Sequence, residues 1–208
     1  MTTSLLRRTG ALAALTLTLG MGLAACGSDD SSKTSDAKAS AGTSASVDAP
    51  MDAGSDTFGA GCKLIPQDGK GSFNGMATDP VATAASNNPL LKRLVTAVGK
   101  AGLVDTLNSA DALTVFAPTD DAFAKIPSDT LNGLLADQKM LTTVLTHHVV
   151  AGKLSPDQLA GTHKTLAGDT ITVTGSGEDF KVGDATVLCG NIPTANATVY
   201  VIDTVLVP

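Results

Sequence analysis

The stretch Leu113-Thr114-Val115-Phe116-Ala117-Pro118-Thr119-Asp120-Asp121-Ala122-Phe123 decides the architecture. Residues 113–116 are apolar or β-branched and read as a strand, which Pro118 ends because proline brings no N–H to a ladder. Thr119 is then placed to cap a short helix, with Asp120 and Asp121 in its first turn, where the helix dipole favours negative charge. Adjacent helical side chains point in different directions, so these carboxylates read as caps and not as an acid/base pair.

Upstream of this stretch, the spacing predicts a helix over 89–101. Asn88 is its cap candidate, Pro89 suits the first helical position, and Gly102 suits a left-handed stop. Leu91, Leu94, Val95 and Val98 share one face, opposite Lys92 and Arg93. On the other side, Ser128 opens a helix carrying Leu131, Leu134 and Leu135. A further helix over 138–147 carries Met140, Leu141, Val144 and Leu145. Ser155-Pro156-Asp157-Gln158 combines an N-cap, a first-turn proline and a capping-box glutamine, and Gly161 stops that helix early.

The last third changes period. Thr170-Ile171-Thr172-Val173-Thr174 alternates until Gly175-Ser176-Gly177 breaks it, and Phe180-Lys181-Val182 and Ala185-Thr186-Val187-Leu188 flank a Gly183-Asp184 turn. A long apolar strand is predicted over 199–207, with Val199, Val201, Val205 and Val207 on one side and Tyr200, Ile202 and Leu206 on the other, so both faces are expected to be covered. Asp203 within it needs a partner, and either His148 or a loop amide would serve. Helices first and antiparallel strands afterwards predict an α+β fold.

Three segments in this order resemble the fasciclin-like domains. Residues 114–123 resemble the first signature block of that family, Asn196-Ala197-Thr198-Val199-Tyr200-Val201-Ile202-Asp203-Thr204-Val205-Leu206-Val207-Pro208 resembles the second, and Leu145-Thr146-His147-His148-Val149-Val150-Ala151-Gly152 resembles the Tyr-His segment between them. The resemblance spans roughly 75–208 and implies a wedge of two β-sheets with helices packed on one side, the last strand closing the sheet that the first block starts. It implies an extracellular adhesion or interaction module and no enzymatic activity. One departure matters: the tyrosine tied in some animal relatives to integrin binding is His147 here, and no Arg-Gly-Asp occurs, so integrin recognition does not carry over. His147 and His148, in the central segment, are the candidate binding residues.

The amino terminus supplies the address. Arg7 and Arg8 precede an uncharged run over 10–25 that ends Leu23-Ala24-Ala25-Cys26, a secretory signal that resembles the lipobox of bacterial lipoproteins. The run falls short of the roughly 20 apolar residues that span a bilayer. Residues 1–25 are therefore read as a signal peptide, Cys26 as the acylated residue, 26–57 as a Ser/Ala/Asp-rich disordered tether, and 58–208 as one fasciclin-like domain. The expected location is the outer face of a bacterial cytoplasmic membrane, and whether part of the population is shed stays open. Whether export is general or twin-arginine stays open. Cys62 and Cys189 remain. In an exported chain they most simply form one disulfide, the alternative being two unpaired buried thiols. The segment Phe58-Gly59-Ala60-Gly61-Cys62 resembles lipid-anchored and secreted fasciclin-domain antigens of actinobacteria, and that resemblance implies the pairing Cys62–Cys189.

Composition excludes several functions. The net charge is −6 and no basic stripe occurs, so no nucleic-acid partner is expected. No HExxH, Cys-His cluster or GxSxG elbow is present, His163 is read in a loop away from the histidine pair, and no metal, cofactor or catalytic residue is expected. The leading expectation is a monomeric module, anchored by lipid on Cys26, that contacts a surface protein, glycan or lipid of the envelope, matrix or host, or that serves as a surface antigen. The second is a carrier of a small apolar ligand. Residues are 43% hydrophobic but only 3% aromatic, so its pocket would be walled by aliphatic side chains.

Overall fold

The first strand, β1 (Leu113–Pro118), is buried at all six positions because it lies between two other strands and is covered on both faces. The computed structural model describes residues 52–208, so Cys26, the signal peptide over 1–25 and most of the tether over 26–57 lie outside the described residues. β1 pairs antiparallel with β2 (Val149–Ala151) and parallel with the last strand, β7 (Ala197–Ile202), from Leu113↔Ala197 to Pro118↔Ile202. The two signature blocks are thus hydrogen-bonded in register along the whole length of both strands.

Four more strands continue the sheet: β3 (Gly161–Lys164), β4 (Thr170–Ser176), β5 (Asp179–Val182) and β6 (Ala185–Pro193), giving the order β2-β1-β7-β6-β5-β4-β3. The two sheets of the expected wedge are continuous through β6. Its start pairs with β5 and its length with β7, with register shifts on either side of Cys189 that let the strand bend. An isolated bridge, Val150↔Thr165, brings the far edge back beside β2, so the sheet nearly closes.

Alternation along the central strands separates two cores. Val115, Ala117, Val199 and Val201 face the helices and share a core with Leu94, Val98, Leu141 and Leu145. Phe116, Tyr200 and Ile202 face inward, against Ile171, Val173, Phe180 and Val182 from the curled half of the sheet. Phe116 and Phe58 lie 5.9 and 6.3 Å from the Tyr200 ring centroid. The helices are α1 (Phe73–Ala77), α2 (Val81–Asn87), α3 (Lys92–Ala101), α4 (Val104–Ser109), α5 (Asp120–Ala124), α6 (Ser128–Ala136), α7 (Gln138–His147) and α8 (Pro156–Leu159). Among the described residues no helix is long and apolar enough to cross a membrane.

Several local expectations are corrected. The helix predicted over 89–101 begins at Lys92, because Asn88 caps the turn before it by accepting from the Leu90 amide (3.0 Å); Gly102 does stop it, at φ 70°. His163 is not in a loop but in β3, where its Nε2 lies 2.8 Å from the Leu159 carbonyl. The last strand ends at Ile202 and not at Val207; Val205 and Leu206 remain buried in irregular backbone, while Val207 is exposed. Order also precedes the expected boundary at Phe58, since the Ala53 amide donates to Asn74 Oδ1 (2.8 Å) and Asn191 Nδ2 to the Asp56 carbonyl (3.1 Å).

Two helix starts are capped from a distance. α2 follows Pro80, which has no capping side chain; Asn196 Oδ1, just before β7, accepts from the Val81 amide at 2.9 Å, and Asn108 Oδ1 accepts from Ala82 at 2.9 Å. The amide of Asn196 donates in turn to the carbonyls of Leu107 (2.8 Å) and Ala110 (2.9 Å), which ties the end of α4 to the start of β7. α3 is capped by Asp120 of α5, whose Oδ1 accepts from the Arg93 amide at 2.8 Å. Thr119 caps α5 as the sequence indicated, accepting from Ala122 at 3.2 Å, whereas Asp120, expected only in the first turn of α5, caps α3 instead.

The amino-terminal segment is fastened to β6. Phe58 and Gly190 exchange backbone hydrogen bonds, and Cys62 is disulfide-bonded to Cys189, 127 residues later. The Phe58 ring lies over Gly190, where a Cβ would come within 2.2 Å of it, so this glycine is needed for close approach. Loop-closure entropy for so long a loop gives an upper stabilisation of about 4–5 kcal/mol. Replacing both cysteines by serine should lower stability by about 3–5 kcal/mol in urea unfolding, with the folded spectrum retained at low denaturant. Asn196→Ala should cost about 2–3 kcal/mol by the same measurement, since one donor and two acceptors lose a partner at once.

Candidate functional site

Helix α7 delivers the two candidate histidines to the point where the helical layer meets the sheet. Asp137 starts the helix, its Oδ1 accepting from Lys139 and Met140 at 3.0 Å each. The apolar positions Leu141, Val144 and Leu145 bury one face. His147 is the last helical residue and His148 the first beyond it, immediately before β2. Their rings are perpendicular, with centroids 6.3 Å apart, and they face different surroundings.

His148 is buried, with 2% of its surface exposed. Its Nδ1 lies 2.7 Å from the Val144 carbonyl, and its Nε2 accepts from the Leu206 amide at 2.9 Å. A carbonyl only accepts and an amide only donates, so the ring is neutral with its proton on Nδ1. Burial, opposed by the Val144 contact and aided by the neighbouring His147, lowers its pKa to about 4. The ring thereby pins the chain segment after β7 to the end of α7. It is a structural crosslink and not a free ligand.

His147 points the other way, into an open groove that Asp169, Ile171, Asp184, Thr204 and Val207 also line. Its Nδ1 is 2.7 Å from Asp169 Oδ2, and the other Asp169 oxygen accepts from the Thr165 hydroxyl. The Thr165 hydrogen bond, followed by His147, holds the Asp169 carboxyl below its ordinary pKa despite some desolvation. This pair locks the turn between β3 and β4 against α7. Asp169 was not among the residues singled out from the sequence, and nothing local to it indicates a contact with a histidine 22 residues away.

Asp203 pairs with neither histidine. It lies just beyond β7 and accepts from the Thr186 amide (2.8 Å), the Thr204 hydroxyl (3.0 Å) and Lys125 Nζ (3.2 Å). Burial works to raise its pKa, but the Thr186 amide, Lys125 and Thr204 together hold it below the usual value. His148 is not its partner, and the amide that is belongs to Thr186 in strand β6 and not to a loop, joined by Thr204 and Lys125. Among the described residues no group of three or more His, Cys, Asp or Glu is arranged to hold a metal ion. Every buried side-chain nitrogen or oxygen described has a hydrogen-bond partner.

The inner side of His148 borders a second feature, an apolar cleft of about 60 Å³ between α2, α3 and α4 and the β1–α7–β2 layer. Val81, Val98, Leu107, Val115 and Leu145 contribute to its walls. The histidine pair therefore separates an apolar cleft from a groove of mixed polar and apolar lining, and neither ring presents a nucleophile–base arrangement.

The unfolded His148 ring takes up a proton near pH 6.5 and the folded one only near 4, so its contribution is complete above about pH 6.5 and lost as pH falls toward 4. That difference corresponds to roughly 3 kcal/mol. The depressed carboxyls of Asp169 and Asp203 act below this window. Urea midpoints between pH 7 and 4 should fall steeply for the natural chain, and the slope should be shallower for His148→Gln. Equal slopes would contradict the assignment.

Comparison with known proteins accords with this geometry. Residues 89–208 match the Fasciclin domain family. The chain is 50% identical over 168 residues to the cell surface glycolipoprotein MPB83 of Mycobacterium bovis, covering 77% of this chain and 76% of that protein. It is 49% identical to the immunogenic protein MPB70 of the same species, over 76% of this chain and 86% of that one. It is 38% identical to protein sll1483 of Synechocystis, over 64% and 77% of the two chains. A solved FAS1 domain pair from the insect cell adhesion molecule fasciclin I aligns at 23% identity with a TM-score of 0.47, covering 57% of this chain and 46% of that chain. With its two signature blocks paired as β1 and β7 and its central histidine segment at the helix–sheet junction, this chain belongs to the fasciclin domain family.

Proposed function

We propose that this protein is a cell-surface fasciclin module, held on the outer face of the cytoplasmic membrane by lipid on Cys26, that works by binding rather than catalysis. The observation that carries the reading is the 50% identity, over three-quarters of both chains, to a mycobacterial protein named as a cell surface glycolipoprotein. The lipobox-like Leu23-Ala24-Ala25-Cys26 supports the anchor, and the acidic, polar run after it suits a spacer. The occupant of its binding surface is an envelope, matrix or host-surface component, and the groove beside His147, lined by both polar and apolar side chains, is the open surface beside the central motif. Carriage of a small apolar ligand is a second reading, favoured by the aliphatic cleft beside His148.

Two measurements test the first reading. Cys26→Ser should move the protein from the membrane fraction to the medium or soluble fraction while leaving its thermal midpoint unchanged; persistence in the membrane would refute the anchor. The purified protein, immobilised, should retain one envelope, matrix or host-surface component selectively, and retention should fall for His147→Ala combined with Asp184→Ala. Retention of no component above an unrelated immobilised protein would refute the binding role.

A further inference from the structure

The apolar cleft has the shape and chemistry of a site for one hydrocarbon chain. Its base is buried, with Val115 8%, Leu145 5% and His148 2% exposed, and its rim carries Val104 and Leu166, which are 37% and 45% exposed. Large apolar side chains that remain exposed are few in the described domain, and two of them flank this one opening. His148 is the polar residue at the base, and both its ring nitrogens are already engaged. The other polar side chains in its lining are Thr146, whose hydroxyl donates to the Thr142 carbonyl (2.7 Å), and Thr106 at the rim, and a cavity so largely aliphatic stays dry or takes an apolar guest.

Size narrows the guest. The enclosed space of about 60 Å³ is less than half the roughly 150 Å³ that accommodates benzene. It is also well short of the roughly 300 Å³ at which drug-sized ligand pockets begin. That volume is too small for a ring system and suits the end of an unbranched chain, with Ala85 of α2 and Leu107 of α4 among the residues that would touch it. Thr106, exposed at the same rim, is placed to meet a polar head. The rim residue Leu166 is held in place by its own amide, which donates to the Val149 carbonyl (2.8 Å), and by the Thr165–Asp169–His147 contacts on the same turn.

We propose that this cleft binds the terminal segment of a single linear alkyl chain, carried by a free fatty acid or by a bilayer lipid. The inference deepens the apolar-carrier reading and is independent of surface attachment and of the His147 groove. The test uses the full chain with Cys26→Ser, so that no covalent acyl chain competes. Sodium alkanoates from butanoate to dodecanoate, kept below micellar concentrations, are titrated while the methyl resonances of Val98, Leu107 and Leu145 are followed. Affinity should rise about fourfold per added methylene and then level off at the length that fills the cleft. Ala85→Leu, which fills the space, should abolish the shifts with an unchanged or higher thermal midpoint. Leu166→Lys, at an exposed position, should weaken them at least tenfold and serves should Ala85→Leu fail to fold. Vesicles of phosphatidylglycerol distinguish the source: Leu166-dependent co-sedimentation points to a bilayer lipid, and its absence beside positive alkanoate shifts points to a free fatty acid. Saturable binding of anilinonaphthalene sulfonate with none of any alkanoate would overturn the linear chain but keep the cleft as a ligand site. Binding of neither probe would overturn both.

Discussion

The parallel pairing of β1 with β7 is the interaction on which the rest of the molecule depends. These strands lie 78 residues apart in sequence yet match residue for residue, and each is buried on both faces. Parallel partners cannot be joined by a tight turn, so everything between Pro118 and Ala197 is in effect one long crossover. That crossover must supply a helical layer for one face, with α5, α6 and α7, and a curled antiparallel sheet for the other. The alternation of Val115 and Ala117 against Phe116, and of Val199 and Val201 against Tyr200 and Ile202, sorts the side chains into the two cores.

Once β1 and β7 are paired, the remaining contacts act as ties between layers. Asn196 joins the start of β7 to the beginning of α2 and the end of α4, Asp120 joins α5 to α3, and the disulfide joins the amino-terminal segment to β6. His148 belongs to the same class of device. Because its ring donates at one nitrogen and accepts at the other, it bridges the end of α7 and the segment after β7 only while neutral. Both histidines of the central motif are buried ties: His148 holds the segment after β7, and His147 holds the β3–β4 turn through Asp169 while its edge borders the groove.

Much of this was legible from local pattern. β1 with its Thr119 cap, α6, α7, the glycine stop of α3 and the alternating strands of the last third follow from periodicity and cap chemistry within a few residues. The Ser155–Gln158 capping box is present, with the Ser155 amide donating to Gln158 Oε1 at 3.4 Å. What escaped was short or capped from elsewhere. α2 lacks an N-cap side chain of its own, α4 buries none of its residues fully, and β3 is a four-residue strand that runs out of a helix stop. The end of the last strand was misjudged because Val205 and Leu206 are apolar for core packing, with Leu206 held through its amide by His148 and not by a ladder.

By itself the sequence determined the fold class, the family, the two cysteines available to pair and the location of the central motif, because each is written in residue type and near-neighbour spacing. The tertiary structure alone decided how the sheet is ordered, which contacts each of the two buried histidines makes, which partners Asp203 takes, and that an aliphatic cleft lies behind His148. Those properties arise from groups tens of residues apart that meet only when two layers pack. A sequence pattern specifies which face of an element is apolar, but not which polar atom of another element will arrive at its edge.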